Sequence, residues 1–221
     1  MTKHLQRDLE GLERRLLVLA AQVEEAVRRS ITSLLEQRIE LAEKVIDGDA
    51  EVDRREVELE EECLKALALH QPVASDLRFI AACLKINSDL ERIGDLAANI
   101  AERSVSLASR GGVPVPNRFR DMMETTVSML RGSIDAFVRG DAAQARNVYN
   151  QDDLVDHGNR KVIAGLLEAM HEDSEFIDPA VELFSISKNL ERIADHATNI
   201  AEDVIYLVEG DIVRHKMKFL G

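Results

Sequence analysis

The chain has 221 residues, of which 45% are hydrophobic, 31% charged and only 4% aromatic, and its bias toward Ala, Leu, Glu and Arg predicts an all-α protein. The formal net charge of −13 argues against a nucleic-acid partner, because nucleic-acid binding draws most of its affinity from clustered Lys and Arg. No apolar run approaches the roughly 18 residues of a membrane span and residues 1–12 lack a signal-peptide core, so we expect a cytoplasmic protein without direct membrane insertion.

Apolar periodicity predicts three helices in the first half of the chain. They cover about residues 5–36, 40–70 and 72–109. Gly48 could break the second helix, but the aligned position in the second half is Gln151, which favours a continuous helix. Cys63 and Cys83 lie in helical apolar patterns without CxxC spacing, so we expect buried, reduced thiols rather than a disulfide or a zinc site.

Residues 110–117, RGGVPVPN, separate the two halves, because paired glycines and two prolines end one helix and delay the next. Three further helices are predicted after this break, with Gly140 as a stop signal and Asp141 as an N-cap. They cover about residues 118–138, 141–171 and 179–209. The predicted domains are a first repeat at 1–110, a linker at 111–117 and a second repeat at 118–221.

The two halves repeat each other. Residues 86–102 and 186–202 are identical at 11 of 17 positions without a gap, which is the signature of an internal repeat. In both segments apolar residues alternate steps of four and three, a pattern that buries one helix face against neighbours at shallow crossing angles. We therefore predict six long antiparallel helices in two tandem three-helix bundles.

Pairs of carboxylates recur at one-turn spacing in corresponding places of both repeats. The pairs are Asp49 and Asp53, Glu91 and Asp95, Asp152 and Asp156, and Glu191 and Asp195. Residues four apart share a helix face, where like charges repel, and the pairs of the second and fifth helices fall among apolar positions, where an ionised carboxylate needs a compensating partner. A metal ion is one such partner, and all-oxygen ligation suits Mg²⁺, Mn²⁺, Ca²⁺ or iron.

Other interpretations of these acids stay open. The stripes of the third and sixth helices fall opposite their apolar seams, which is typical of a solvated face; they consist of Glu91, Asp95 and Asn99, and of Glu191, Asp195 and Asn199. Ion pairs with nearby basic residues such as Arg54, Arg55 and Arg92 would also neutralise the acids. A metal-free helical scaffold with solvated acidic faces is therefore the alternative. His157 and His196 adjoin acids but lie about 100° away around the helix, so neither is predicted as a ligand.

An enzyme is not predicted. A carboxylate-bridged di-iron enzyme would need two Glu-x-x-His motifs facing one interior, and only Glu168 and His171 have that spacing. The sequence contains no nucleophilic triad and no phosphate-cradling glycine loop.

Three segments and the C-terminal ending resemble the PhoU family. They are residues 71–78 (QPVASDLR), 90–95 (LERIGD), 189–202 (NLERIADHATNIAE) and 210–216 (GDIVRHK). The resemblance implies two three-helix bundles and metal ions, in some members iron or zinc clusters, at E/D-x-x-x-D motifs. The residues that match these motifs are Asp49, Asp53, Glu91, Asp95, Asp152, Asp156, Glu191 and Asp195, and Asn99 and Asn199 continue the same stripes.

The resemblance also implies a function. A protein of this family restrains the phosphate-starvation response when phosphate is plentiful, by contacting the ATPase subunit of the phosphate ABC transporter and the membrane-bound sensor histidine kinase. We accordingly expect a non-enzymatic negative regulator of phosphate homeostasis, and we expect it to be a homodimer.

Overall fold

The computed structural model describes residues 3–211 and is helical almost throughout, with no strand in that range. Its helices are α1 (Lys3–Glu36), α2 (Ile39–His70), α3 (Ala74–Ser109), α4 (Asn117–Arg139), α5 (Ala142–Tyr149), α6 (Asp152–Glu172) and α7 (Ile177–Glu209), with a 3₁₀ turn at Ser174–Phe176. The predicted all-α fold is confirmed. The family-like ending at 210–216 lies, from Ile212 onward, outside the described residues.

The prediction of one continuous fifth helix over 141–171 is wrong. The chain divides there into α5 and α6 at Asn150 and Gln151, because the backbone N–H groups of Gln151 and Leu154 bond to carbonyls three residues back instead of four. Both connecting residues keep right-handed helical dihedrals. In the first half Gly48 lies inside the uninterrupted α2, as predicted.

Local signals at the start of α5 act as predicted. Gly140 adopts a left-handed conformation with φ of 59° at the end of α4, which glycine tolerates without steric cost. The Asp141 side chain then accepts hydrogen bonds from the backbone N–H groups of Ala143 and Gln144 at 3.0 and 2.9 Å. These two residues let the chain reverse between α4 and α5 within a short connection.

Helices α1 to α3 pack on one another, α4 to α7 pack on one another, and α3 packs along α7. The α3–α7 seam is antiparallel: Lys85 near the start of α3 pairs with Asp203 near the end of α7, and Arg103 pairs with Glu182 at the opposite end. One hydrophobic core therefore continues through both halves. Residues 110–116 connect α3 to α4, and the division into two domains stays a prediction.

Cys63 and Cys83 are buried in this core as free thiols, in agreement with the sequence-based expectation. Burial raises the pKa of Cys63 to about 12, so the thiol stays protonated and unreactive. Among the described helices, none has an apolar stretch long enough to cross a lipid bilayer.

Candidate metal centre

The candidate centre lies beside the contact of α2 with α3 at Val52 and Gly94. Gly94 on α3 faces Val52 on α2, and a Cβ atom at position 94 would lie 3.0 Å from Cγ1 of Val52. Glycine thus permits a helix–helix distance that a larger residue would increase. Asp53 and Asp95 directly follow these two residues in sequence, so the close approach brings the acidic faces of both helices together.

Three carboxylates meet at this point. Carboxylate oxygens of Asp49, Asp53 and Asp95 lie within 4.8 Å of one another. Asp49 is half-buried, whereas Asp53 and Asp95 are exposed. Across residues 3–211 no other group of three His, Cys, Asp or Glu side chains meets this geometry. We refer to Asp49, Asp53 and Asp95 as the acidic triad.

The electrostatics of the acidic triad show uncompensated negative charge. Partial burial, then the charges of Asp95, Asp53 and Glu102, raise the pKa of Asp49 above its usual range. Partial burial and the charge of Asp53 likewise raise the pKa of Asp95. Each cause disfavours the ionised form of these carboxyl groups. A bound cation would offset the part of the pKa rise that comes from repulsion between the carboxylates.

Glu91 extends the acidic triad by one turn of α3. It is half-buried, and burial followed by the charges of Asp95, Asp53 and Glu56 raises its pKa, while Arg92 lowers it. Asn99, one turn beyond Asp95, is exposed. Glu91 therefore lies in the electrostatic field of the acidic triad.

Arginine pairing does not account for the acidic triad. Arg54 is bonded to Glu51 and Glu58, and Arg55 is bonded to Glu51 at 2.8 Å. Within the described part of the chain, no Lys or Arg forms an ion pair with any of the three triad carboxylates. Of the arginines that the sequence offered as neutralising partners, Arg54 and Arg55 are paired with other acids of α2, whereas Arg92 on α3 acts on Glu91, whose pKa it lowers.

The second repeat does not reproduce this arrangement. Lys188 forms an ion pair with Glu191, and Thr198 donates a hydrogen bond to Asp152 at 3.2 Å. Ala194 occupies the position equivalent to Gly94 and is buried, so the second repeat carries a methyl group at the position where the first repeat has none. Asp156 is half-buried and Asp195 exposed, but within residues 3–211 the four acids do not converge as the acidic triad does.

A buried polar cluster in the α3–α7 seam was missed by the sequence analysis. Asp89 lies 2.8 Å from Nδ1 of His196 and also accepts a hydrogen bond at 3.3 Å from Asn199, a residue that the sequence predicted as a ligand. Asp89 and His196 are 9% and 8% exposed. A difference between the repeats is the sequence feature that indicates this cluster: Asp89 is replaced by Asn189 in the second repeat, and His196 is replaced by Leu96 in the first.

Comparison with known proteins places these observations in a family. The profile described as "PhoU domain" matches residues 16–104 and 119–204. Among relatives, the phosphate-specific transport system accessory protein PhoU homolog of Aquifex aeolicus is 40% identical over 210 residues, covering 95% of each chain. The corresponding accessory protein PhoU of Serratia marcescens is 36% identical over 208 residues, covering 94% of this chain and 86% of its own.

Solved structures agree with this assignment. The crystal structure of PhoU from Pseudomonas aeruginosa matches with a TM-score of 0.91 and 36% identity, over 93% of this chain and 99% of that one. The phosphate transport system regulatory protein PhoU from Streptococcus pneumoniae matches with a TM-score of 0.87 and 29% identity, over 95% and 99%. The resemblance inferred from the sequence motifs is confirmed. With both repeats matched and relatives aligned over nearly their full length, the chain belongs to the PhoU family.

Proposed function

We propose that this chain is a metal-binding regulatory adaptor that restrains the phosphate-starvation response. It would act between the ATPase subunit of the phosphate ABC transporter and the sensor histidine kinase, as a non-enzymatic cytoplasmic homodimer. The names of the relatives, accessory proteins of the phosphate-specific transport system, support a role in the regulation of phosphate transport. The acidic triad is the single observation that supports metal dependence.

The proposed ligands are Asp49, Asp53 and Asp95, with Glu91 as a fourth. Their donor set consists only of carboxylate oxygens, which suits Mg²⁺, Mn²⁺ or iron better than zinc, since zinc sites usually include His or Cys. A bound cation would supply positive charge among the carboxylates. The residues of α2 and α3 would then be held together by shared ligation instead of being separated by repulsion.

The alternative, a metal-free helical scaffold, is favoured by the second repeat. There the ion pair of Lys188 with Glu191 and the hydrogen bond from Thr198 to Asp152 already compensate two of the acids. Asp152, Asp156, Glu191, Asp195, Asn99 and Asn199 remain proposed ligands of a second rank. A metal at Glu191 would first have to displace the Lys188 ammonium group.

Two measurements distinguish the adaptor from the scaffold. Elemental analysis of protein purified without chelator should find bound metal in the wild-type chain and lose it in the Asp49→Asn, Asp53→Asn, Asp95→Asn triple variant. Binding of the transporter ATPase subunit and of the kinase cytoplasmic region should weaken when EDTA is added to the wild-type chain. If the triple substitution leaves the metal content unchanged and EDTA leaves the affinity for both partners unchanged, the metal-free scaffold is the correct function.

A further inference from the structure

An arginine-rimmed groove runs between α1 and α4, and none of the proposed metal ligands lines it. It consists of two adjoining hollows of about 370 and 570 Å³, which share Arg28, Ile31 and Val127. On α4 the lining positions recur every three or four residues from Arg120 to Arg131, which corresponds to about 16 Å of helix. The groove therefore accommodates about three turns of a docked helix.

The floor of the groove is apolar. Met123 and Ile31 are buried at its base, and Leu35 and Val127 are partly buried against the core. Leu41 of α2 extends this apolar floor in the second hollow. A ligand that covered Leu35 and Val127 would gain hydrophobic contact without any change in the packing beneath them.

The rim of the groove is basic in a chain of net charge −13. Its charged lining consists of five basic and two acidic side chains: Arg28, Arg29, Lys44, Arg120, Arg131, Glu25 and Glu124. Arg28 and Arg29 are paired with Glu24 and Glu25 on their own helix. Arg120 and Arg131 have no ion-pair partner among residues 3–211, so both guanidinium groups are available to a ligand.

The walls of the groove favour a helical occupant. Both walls are α-helices whose backbone groups bond within their own helix, so the groove has no strand edge for an extended peptide. Such a peptide would leave its own N–H and C=O groups unpaired against the apolar floor. A docked helix satisfies its own backbone and presents apolar side chains at i, i+3 and i+7 to the floor.

We propose that this groove docks an acidic amphipathic helix of a partner protein, with carboxylates that face Arg120 and Arg131. The inference rests on the adaptor function proposed above and assigns the chemistry of one partner element. Opposite charge across the rim accelerates encounter and disfavours basic partners. Nucleic acid is a poor occupant, because the apolar floor offers it no contact and the acidic chain repels its backbone.

The test uses the full chain and a fluorescein-labelled, stapled helix of about 14 residues, or roughly four turns. Leucines form one face and glutamates flank it, and a comparison helix has lysine in place of every glutamate. Fluorescence anisotropy in about 0.15 M salt should show that the acidic helix binds at least about tenfold more tightly than the basic one. The double variant Arg120→Glu, Arg131→Glu should weaken binding of the acidic helix at least about tenfold.

The matched control is Arg118→Glu, Arg139→Glu, which reverses the same charge on α4 outside the groove. It should leave the affinity of the acidic helix unchanged. Equal binding of both helices, absence of binding, or an equal effect of both double variants overturns the proposal. If the groove variant does not fold, as judged by circular dichroism, Arg120→Gln with Arg131→Gln replaces it.

Two further readouts separate this proposal from others. Sedimentation of the chain alone would reveal a second copy as the occupant, if the wild type self-associates and the groove variant does not, and that result overturns the partner helix. Measuring helix binding by anisotropy and Tm by circular dichroism, each in EDTA and in MnCl₂, separates the groove from the metal centre. If manganese does not raise Tm but the acidic helix still binds, only the metal proposal is contradicted. If manganese raises Tm but the acidic helix does not bind, only the groove proposal is contradicted.

Discussion

Replacing Asp49 by Asn tests whether a cation relieves repulsion within the acidic triad. Its carboxylate oxygens lie within 4.8 Å of those of Asp53 and Asp95, and at this separation two unit charges in water repel by about 1 kcal/mol. Asp49→Asn removes two such repulsions, or about 1–2 kcal/mol after allowance for solvent screening. In chelator the variant should therefore melt about 2–8 °C above the wild type, because 1 kcal/mol shifts Tm by about 2–4 °C in a chain of this size.

With a cation present, the difference in Tm between Asp49→Asn and the wild type should reverse its sign. A cation at a hundred times its Kd stabilises the folded state by about 2.7 kcal/mol, which raises Tm by about 5–11 °C. Asp49→Asn lacks one anionic ligand and should lose most of this rise. Melting followed by circular dichroism in EDTA and in MnCl₂ measures both effects.

The control for this experiment is Asp47→Asn, which removes the same charge from an exposed position of α2 outside the acidic triad. It should keep the full manganese-dependent rise in Tm. The reasoning is refuted if manganese leaves the wild-type Tm unchanged, or if Asp49→Asn melts below the wild type in EDTA.

Three further predictions address pH, helix spacing and the second repeat. Because the folded-state pKa values of Asp49, Glu91 and Asp95 are raised, the folded chain binds protons more tightly there than the unfolded chain. In EDTA these groups should increase the free energy of unfolding as pH falls from 7 through the raised pKa values; urea titrations should give a flatter profile for the triple Asn variant. Gly94→Ala should lower manganese affinity by about tenfold in calorimetry, since its Cβ atom displaces Val52. This loss of affinity is expected although alanine favours the helical state by about 1 kcal/mol relative to glycine. Lys188→Met releases Glu191 and should add a second, weaker manganese equivalent to the calorimetric stoichiometry.

Much of the fold was predictable, because hydrophobic periodicity and the internal repeat report on the same packed helices. The repeat correctly predicted that α2 continues through Gly48. The same alignment failed at Gln151, where the chain changes its hydrogen-bond pattern between α5 and α6. Such a change depends on local competition between three-residue and four-residue bonds, which apolar periodicity does not record.

The acidic triad was only partly predictable. One-turn spacing placed Asp49 with Asp53 on one face of α2, but the contact with Asp95 depends on the distance between two helices. Gly94 and Val52 pack tightly at this contact, and neither apolar periodicity nor one-turn spacing connects this glycine with the adjacent Asp95. The interpretation of the α3 stripe as a solvated face agrees with the exposure of Asp95. It does not account for the raised pKa of Asp95, which has partial burial and the charge of Asp53 as its causes.

The two repeats show why a duplicated motif does not guarantee a duplicated site. Both keep the paired acids, but the residues beside those acids differ, and within residues 3–211 three carboxylates converge only in the first repeat. Gly94 corresponds to Ala194, which is buried, and Ser88 corresponds to Lys188, which forms an ion pair with Glu191. A cation contributes most where charge is clustered and no side chain compensates it. The first repeat meets both conditions, so a response of this protein to metal should originate between α2 and α3.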